Sequence, residues 1–284
     1  MLQYLLGWRQ FNIQATDTVL EVGSGAHPLI RSDILCDKFP FSSYERFMNL
    51  PVVMDRPFVV ADAEHLPFRH KTIDFLYCTD LAEHLPQPHN FFQECMRVAR
   101  KGVIITPSIT AERMFGWGYH AVIYEVQNQT LLIHRKTRDN WGLFGGTFHD
   151  LWRRDKSFQK FFARHAGLFR MTYEWEGEIR YEYAPLQGEL DQVWRRQSAA
   201  EQMVEQVPGR FETLKRAART FASQVLRHRI LGRPDVDLTT ILACPVCHGG
   251  LDYKPNATLI VCQACGRTYE QRNNVPILVL DEWM

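Results

Sequence analysis

The chain has 284 residues, of which 45% are hydrophobic and 23% charged, with a formal net charge of +1. That length accommodates two domains. No apolar run reaches the roughly 18 to 20 residues that cross a bilayer, and the balanced charge supplies no global attraction to nucleic acid. The opening MLQYLLGWRQ has a short apolar patch with no basic residues before it and no small-residue cleavage site after it, so the expectation is a cytoplasmic protein without a secretory signal.

Between Thr18 and Pro107 five short runs recur: TVLEV, DILC, FVVAD, IDFLYCT and GVIIT. They are rich in Val, Ile and aromatics, as strands buried on both faces are. Before the last of them, PHNFFQECMRVAR places Phe92, Cys95, Met96 and Ala99 on one helical face. The alternation predicts a doubly wound α/β sheet, in which ligands bind beyond the carboxyl ends of the strands. Residues 108–183 are rich in aromatics, histidines and glycines (FGWGYH, WGLFGGTFHD), with strand-like pieces at TLLIH and FRMTYEWEG. They are read as the last strands of the sheet plus a substrate-facing insertion over about 108–170. From Leu186 to about Leu231 the pattern is helical, and its second half is basic: Arg210, Lys215, Arg216, Arg219, Arg227, Arg229 and Arg233 stand against Glu212 alone. Such a stretch is a phosphate-contacting face or a solvated linker helix. GRPDVD then leads into a cysteine-rich end, and the expected domains are 1–185, 186–235 and 236–284.

The strand ends carry the chemistry. In VLEVGSG, glycines after a buried strand let backbone N–H groups approach a ligand. Asp37 ends the second predicted strand, where a carboxylate accepts hydrogen bonds from ribose hydroxyls, and Asp62 with Ala63 ends the third. A nicotinamide enzyme expects G-x-G-x-x-G opening a full helix, which is missing.

These motifs resemble the class I S-adenosylmethionine-dependent methyltransferases: EVGSG (Glu21 to Gly25), Asp37, DAEHLPF (Asp62 to Phe68), DFLYCTDLAEHL (Asp74 to Leu85) and RVARKGVIITP (Arg97 to Pro107). The resemblance implies a Rossmann-like sheet in which Glu21, Gly23 and Gly25 surround the methionine part of the cofactor. It implies further that Asp37 holds the ribose, that Asp62 and Ala63 face the adenine, and that Ser24 and Thr79 belong to the same cofactor set. The sequence departs from the family where His27 and Pro28 replace the third glycine. Only eleven residues separate Val22 from Ile34, so the first crossover helix is very short or absent.

Methyl transfer from a sulfonium is an in-line displacement that needs alignment and, for some acceptors, a base. Asp80, Glu83 and His84 follow the fourth strand, and His120 lies in FGWGYHAV; Asp80, His84 and His120 are the catalytic candidates. The competing reading makes Asp80 a helix cap and the histidines packed structural groups. His149 is a further histidine among aromatics, and Trp117, Tyr119, Trp141 and Phe144 offer faces for stacking on a planar substrate or, alternatively, for core packing. D/N-P-P-Y/F, a mark of amino-nitrogen methylation, does not follow the fourth strand.

At the C-terminal end, Cys244-x-x-Cys247 and Cys262-x-x-Cys265 supply four thiolates in two knuckles, a set suited to structural Zn²⁺. Such a small module cannot bury enough core alone, so metal would supply much of its folding free energy. ILACPVC and LIVCQACGRTYEQRNNVPILVL are similar to the small zinc-ribbon activator subunit of tRNA, rRNA and release-factor methyltransferases and to short stand-alone bacterial zinc-ribbon proteins. That resemblance implies a ribbon that adds a strand to the sheet edge of its own methyltransferase domain. The expected function is methyl transfer from S-adenosylmethionine to an RNA, protein or small-molecule acceptor, with a scaffold or nucleic-acid adaptor on a degenerate fold as the alternative.

Overall fold

Each of the five apolar runs forms a strand: β1 Val19–Val22, β2 Ile34–Asp37, β3 Phe58–Val60, β4 Ile73–Thr79 and β5 Ala99–Pro107. In the computed structural model, residues 10–40, 52–85, 87–136, 144–185, 225, 227, 232–233 and 235–280 are described. Nearly every residue of β1, β2 and β3 is buried, as their unbroken apolar sequence requires of strands covered on both faces. The chain divides into two compact units. One is Met1–Cys78 with His89–Gly102 and Glu205–Met284; the other is Thr79–Pro88 with Val103–Val204.

In the first unit, β2, β1 and β4 run parallel, with Leu20 opposite Ile34 on one side and Leu76 on the other. β3 adds to β2 with Leu35 opposite Phe58. The helix α1, Pro88–Val98, buries Phe91, Phe92, Cys95 and Val98 completely. The expected stripe is shifted at its end: Met96 is half-buried, and Ala99 already starts β5.

The first crossover contains no helix; residues 23–33 form turns. With no helix to satisfy its backbone, buried side chains do so. Glu21 accepts hydrogen bonds from the N–H of Leu29 at 2.8 Å and the hydroxyl of Ser32 at 2.6 Å. Asp33, fully buried, accepts from the N–H of Val19 at 2.9 Å and pairs with Arg31 at 2.9 Å and Arg233 at 2.8 Å. Arg56 donates to the carbonyls of Leu29 and Ser32, both at 2.9 Å. Arg227, 1% exposed, reaches the carbonyls of Ile30 and Ser32. Two cations of the basic stretch are therefore engaged inside the protein, which removes them from a phosphate-contacting face. Arg210, Lys215, Arg216, Arg219 and Arg229, and with them most of the expected helical segment 186–235, lie outside the described residues.

The C-terminal module belongs to this same unit. After the one-turn α2, Leu238–Ile241, come β10 Leu251–Asp252, β11 Leu259–Cys262, β12 Thr268–Arg272 and β13 Val275–Ile277, the last of which neighbours β3. They form an antiparallel ladder whose last strand turns parallel to β3, giving the order β10-β11-β12-β13-β3-β2-β1-β4. Val275, Ile277 and Val279 close over Leu35, Val52, Phe58 and Val60. A second seam forms where the backbone of Ala243 donates to Pro67 at 2.9 Å and that of Arg69 to Ile241 at 2.8 Å.

The second unit carries α3 Ile109–Phe115, the hairpin β6 Val122–Gln127 and β7 Thr130–Arg135, then α4 Thr147–Arg154, α5 Lys156–Arg164, α6 Ala166–Phe169, β8 Arg170–Glu176 and β9 Tyr181–Tyr183. Asn128 and Gln129, both at positive φ, make the two-residue hairpin turn. TLLIH is not a strand of the main sheet as expected, because β6, β7 and β9 form a separate three-stranded sheet. FRMTYEWEG, as β8, does lie beside β5, whose residues from Val103 onward belong to this unit. No helix among the described residues is long and apolar enough to cross a membrane.

Candidate active site and metal centre

In the first unit, the carboxyl ends of β1, β2 and β3 carry the expected cofactor residues other than Thr79, which belongs to the second unit. Gly23 and Gly25 both adopt positive φ, at 75° and 51°, which turns the chain sharply out of β1. The N–H groups of Gly23 and Ser24 donate to the carbonyl of Cys36 at 2.9 and 3.1 Å, and that of Gly25 to the carboxylate of Asp37 at 3.0 Å. Asp37 also accepts from the N–H of Phe39 at 2.9 Å, so it fixes the turn. Ser24 is 4% exposed, and its buried hydroxyl has no partner among the described residues. An orphaned hydroxyl in a glycine turn suits a polar ligand group. Asp62, 6% exposed, pairs with Lys38 at 2.7 Å and accepts from the N–H of Glu64 at 2.9 Å; Ala63 beside it is buried. Glu21 points inward to Leu29 and Ser32, and burial pushes its carboxyl up to about 7 against the pull of those hydrogen bonds and Arg56. Its visible work is to shape the loop.

The second unit gathers the catalytic candidates. Thr79 ends β4, and Asp80 follows at φ 52°, a backbone region non-glycine residues seldom occupy. Arg170, at the start of β8, holds both: it donates to the Thr79 hydroxyl at 2.7 Å and reaches the two Asp80 oxygens at 3.0 and 3.1 Å. Asp80 is no helix cap here. A 3₁₀ turn, Ala82–His84, then carries Glu83 and His84. It is tied to β6 by the N–H of Ala121 on the Glu83 carbonyl at 2.7 Å and by the Tyr124 hydroxyl on that of Ala82 at 3.1 Å. His84 stacks on Tyr119 with ring centroids 5.4 Å apart and meets the edge of His120 at 4.8 Å. His120 bonds through Nδ1 to Glu112, whose other oxygen lies 3.5 Å from the Lys136 ammonium.

Four of these groups are almost fully enclosed: Glu83, Glu112, His120 and Lys136 are 2%, 1%, 4% and 6% exposed. Burial, followed by the His120 ring, pushes His84 down to about 3. Burial and then Lys136 depress His120, while burial and then Asp80 raise Glu83. Glu112 rises to about 7 through burial, opposed by Lys136. Both imidazoles are held neutral. His149 bonds Phe115's carbonyl at 2.8 Å through Nε2, and Phe144 is half exposed; Trp141 lies outside the described residues. Glu112, Lys136 and Arg170 were not singled out in the sequence, because nothing in local spacing marks a partner that arrives from another element.

The ribbon places Cys244, Cys247, Cys262 and Cys265 with all four sulfurs within 4.8 Å of one another, and all four thiols are free. Sulfur separations of 3.8 Å for Cys244 and Cys265 and 3.5 Å for Cys247 and Cys262 match those around a tetrahedral ion with bonds of about 2.3 Å. The cluster fits zinc. The Tyr269 hydroxyl, 3% exposed as a residue, lies 3.0 Å from the Cys244 sulfur.

Two family models match the chain. Residues 46–106 match the family described as Methyltransferase domain, and residues 235–270 the family described as Trm112p-like protein. A UPF0434 protein of Methylobacillus flagellatus is 38% identical over 48 residues, which are 17% of this chain and 80% of that protein. The chain belongs to the UPF0434 family. It does so through its Trm112p-like ribbon, and it carries a methyltransferase domain ahead of it. Among solved structures, the YcgJ protein of Bacillus subtilis is 21% identical with a TM-score of 0.29, covering 38% of this chain and 52% of that one, so the chain spans about half of its length. A chain of the complex containing the Haloferax volcanii Trm112 methyltransferase activator is 12% identical with a TM-score of 0.38, covering 62% of this chain and 90% of that one.

Proposed function

We propose that the protein is an S-adenosylmethionine-dependent methyltransferase whose fused ribbon, holding one structural Zn²⁺, serves as its activator in cis. The observation that supports this best is the buried hydroxyl of Ser24 in the glycine turn, without a partner among the described residues, beside an Asp37 that closes on Gly25, within a chain whose residues 46–106 match a methyltransferase domain. Glu21 holds the loop between β1 and β2, Gly23 and Gly25 let the backbone approach the methionine part, Asp37 receives the ribose hydroxyls, and Asp62 with Ala63 borders the adenine. S-adenosylmethionine supplies an electrophilic methyl group when bound.

Toward the acceptor, Thr79 and Asp80 are held by Arg170, and the His84 and His120 rings meet edge to face with centroids 4.8 Å apart. Their role is to orient the acceptor for in-line displacement. RNA, protein and small-molecule acceptors are each compatible with the ribbon's relatives or with the methyltransferase motifs.

Calorimetric titration of the zinc-replete chain with S-adenosylmethionine tests the reading. Micromolar affinity, followed by labelled methyl transfer to a fraction of RNA, protein or metabolite extract, is the expected result. Zinc binding with no cofactor affinity would leave the chain a scaffold on a methyltransferase fold.

A further inference from the structure

The second unit contains another set of metal-ligating atoms, far in sequence from the cysteines. One carboxylate oxygen of Glu83 and one ring nitrogen each of His84 and His120 lie within 4.8 Å of one another. Donors bound at about 2.0 to 2.2 Å to one cation stand roughly 3 to 4 Å apart, so only a small contraction separates this arrangement from coordination.

Two independent features point to a ligand at the centre of the three. Glu83 is 2% exposed, and its buried Oε2 has no hydrogen-bond partner among the described residues. Such an oxygen is costly to leave unmatched. The second feature is the orientation of the imidazoles. His120 has Nδ1 tied to the Glu112 carboxylate, which fixes the ring, and the His84 ring is fixed by stacking on Tyr119 at 5.4 Å. Metal-binding histidines are commonly oriented by a carboxylate or backbone group on the nitrogen that does not bind. Lys136 lies 3.5 Å from Glu112 and Arg170 3.0 Å from Asp80, while Glu83 makes no ion pair of 4 Å or less among the described residues.

We propose that Glu83, His84 and His120 bind one divalent transition-metal ion, of the Zn²⁺, Fe²⁺, Mn²⁺ or Co²⁺ type, at a site separate from the ribbon. Two imidazoles and one carboxylate suit these borderline ions, whereas Mg²⁺ and Ca²⁺ prefer oxygen donors throughout. Three protein ligands also leave a coordination position for an oxygen of water or substrate, as in catalytic rather than structural centres. The site is a property of the second unit's own residues and stands whether or not the chain binds S-adenosylmethionine.

The test is made on the full chain with its ribbon pre-loaded with Zn²⁺. Titration with Co²⁺ should add one further equivalent per chain, with ligand-field bands of a nitrogen and oxygen site and no thiolate charge-transfer bands. Elemental analysis after desalting should then give two metals per chain in the native protein and one in Glu83→Gln and His120→Asn. A native protein that takes up no second equivalent overturns the proposal without recourse to any variant. So does a second equivalent that survives in both variants, or one that shows thiolate bands.

Discussion

The backbone N–H of Leu278 donates to the carbonyl of Val60 at 2.8 Å, so the segment leaving the ribbon occupies the place of a sheet strand beside β3. Parallel strands expose a row of unpaired backbone groups at an edge, and here the ribbon covers that row. Removing its metal should therefore be felt beyond the cysteines. In a Cys262→Ser variant, or after chelation of the native chain, the amides of β3 should lose hydrogen-exchange protection together with those of β11 and β12. Unchanged protection in β3 would show that the ribbon folds independently of the sheet.

Tyr269 acts at one remove from the same centre. Its hydroxyl lies 3.0 Å from the Cys244 sulfur, and hydrogen bonds to ligands typically alter metal affinity by about 10- to 100-fold. Tyr269→Phe should accordingly release zinc to a competing chelator about tenfold more readily while the ribbon stays folded. Equal release rates would mean that the contact carries no metal-binding energy.

Glu21 should make stability depend on pH in an unusual sense. Burial raises its carboxyl from the ordinary 4.5 to about 7, so between those values the folded chain holds a proton that the unfolded chain has lost. Its contribution is thus fully present at low pH and falls as pH rises toward 7, by about 1.4 kcal/mol per unit and about 3 kcal/mol at most. Asp55 adds to the upward shift and Arg56 opposes it. Urea unfolding at intervals from pH 4.5 to 7 should show this decline in the native chain and a flatter profile in Glu21→Gln, whose amide oxygen can still accept from Ser32 and Leu29. Parallel profiles would assign the dependence to other groups.

Asp37 and Arg170 separate cofactor binding from turnover. Asp37→Ala removes the acceptor for the Gly25 N–H and the expected ribose contact. S-adenosylmethionine affinity should fall by about 10- to 100-fold, in line with about 1.5 to 3 kcal/mol for a hydrogen bond to a charged group. Unaltered affinity in calorimetry would remove Asp37 from the cofactor set.

Arg170→Met should leave cofactor affinity within about twofold yet lower the rate of methyl transfer. The Arg170 and Asp80 side chains are 35% and 52% exposed, so stability should change by no more than about 1 kcal/mol. Single-turnover rates and thermal melts on the same preparation measure both, and an unchanged rate would reduce the pair to a surface ion pair.

Legibility followed range. β1 to β5 and α1 could be read because each is a local apolar pattern, and the four cysteines because ligand spacing is itself local. The bare first crossover was legible too, as eleven residues leave little room for a helix. TLLIH was misassigned because alternation identifies a strand without naming its neighbour, and only the pairing of Tyr124 with Ile133 shows that β7 belongs with β6.

The linear order of residues by itself determined that the chain carries strand-end glycines and acids, a two-knuckle cysteine module and a histidine-bearing segment between them, since short-range sterics and periodicity write these into neighbouring positions. Tertiary structure alone decided which of those residues share an environment. Glu112 reached His120, Arg170 took hold of Asp80, and Arg227 and Arg233 turned from a basic surface stretch into ionic partners of the loop around Asp33. Burial decided the rest, because a carboxylate or imidazole removed from water must find a counter-charge, a donor or a proton wherever the fold supplies one.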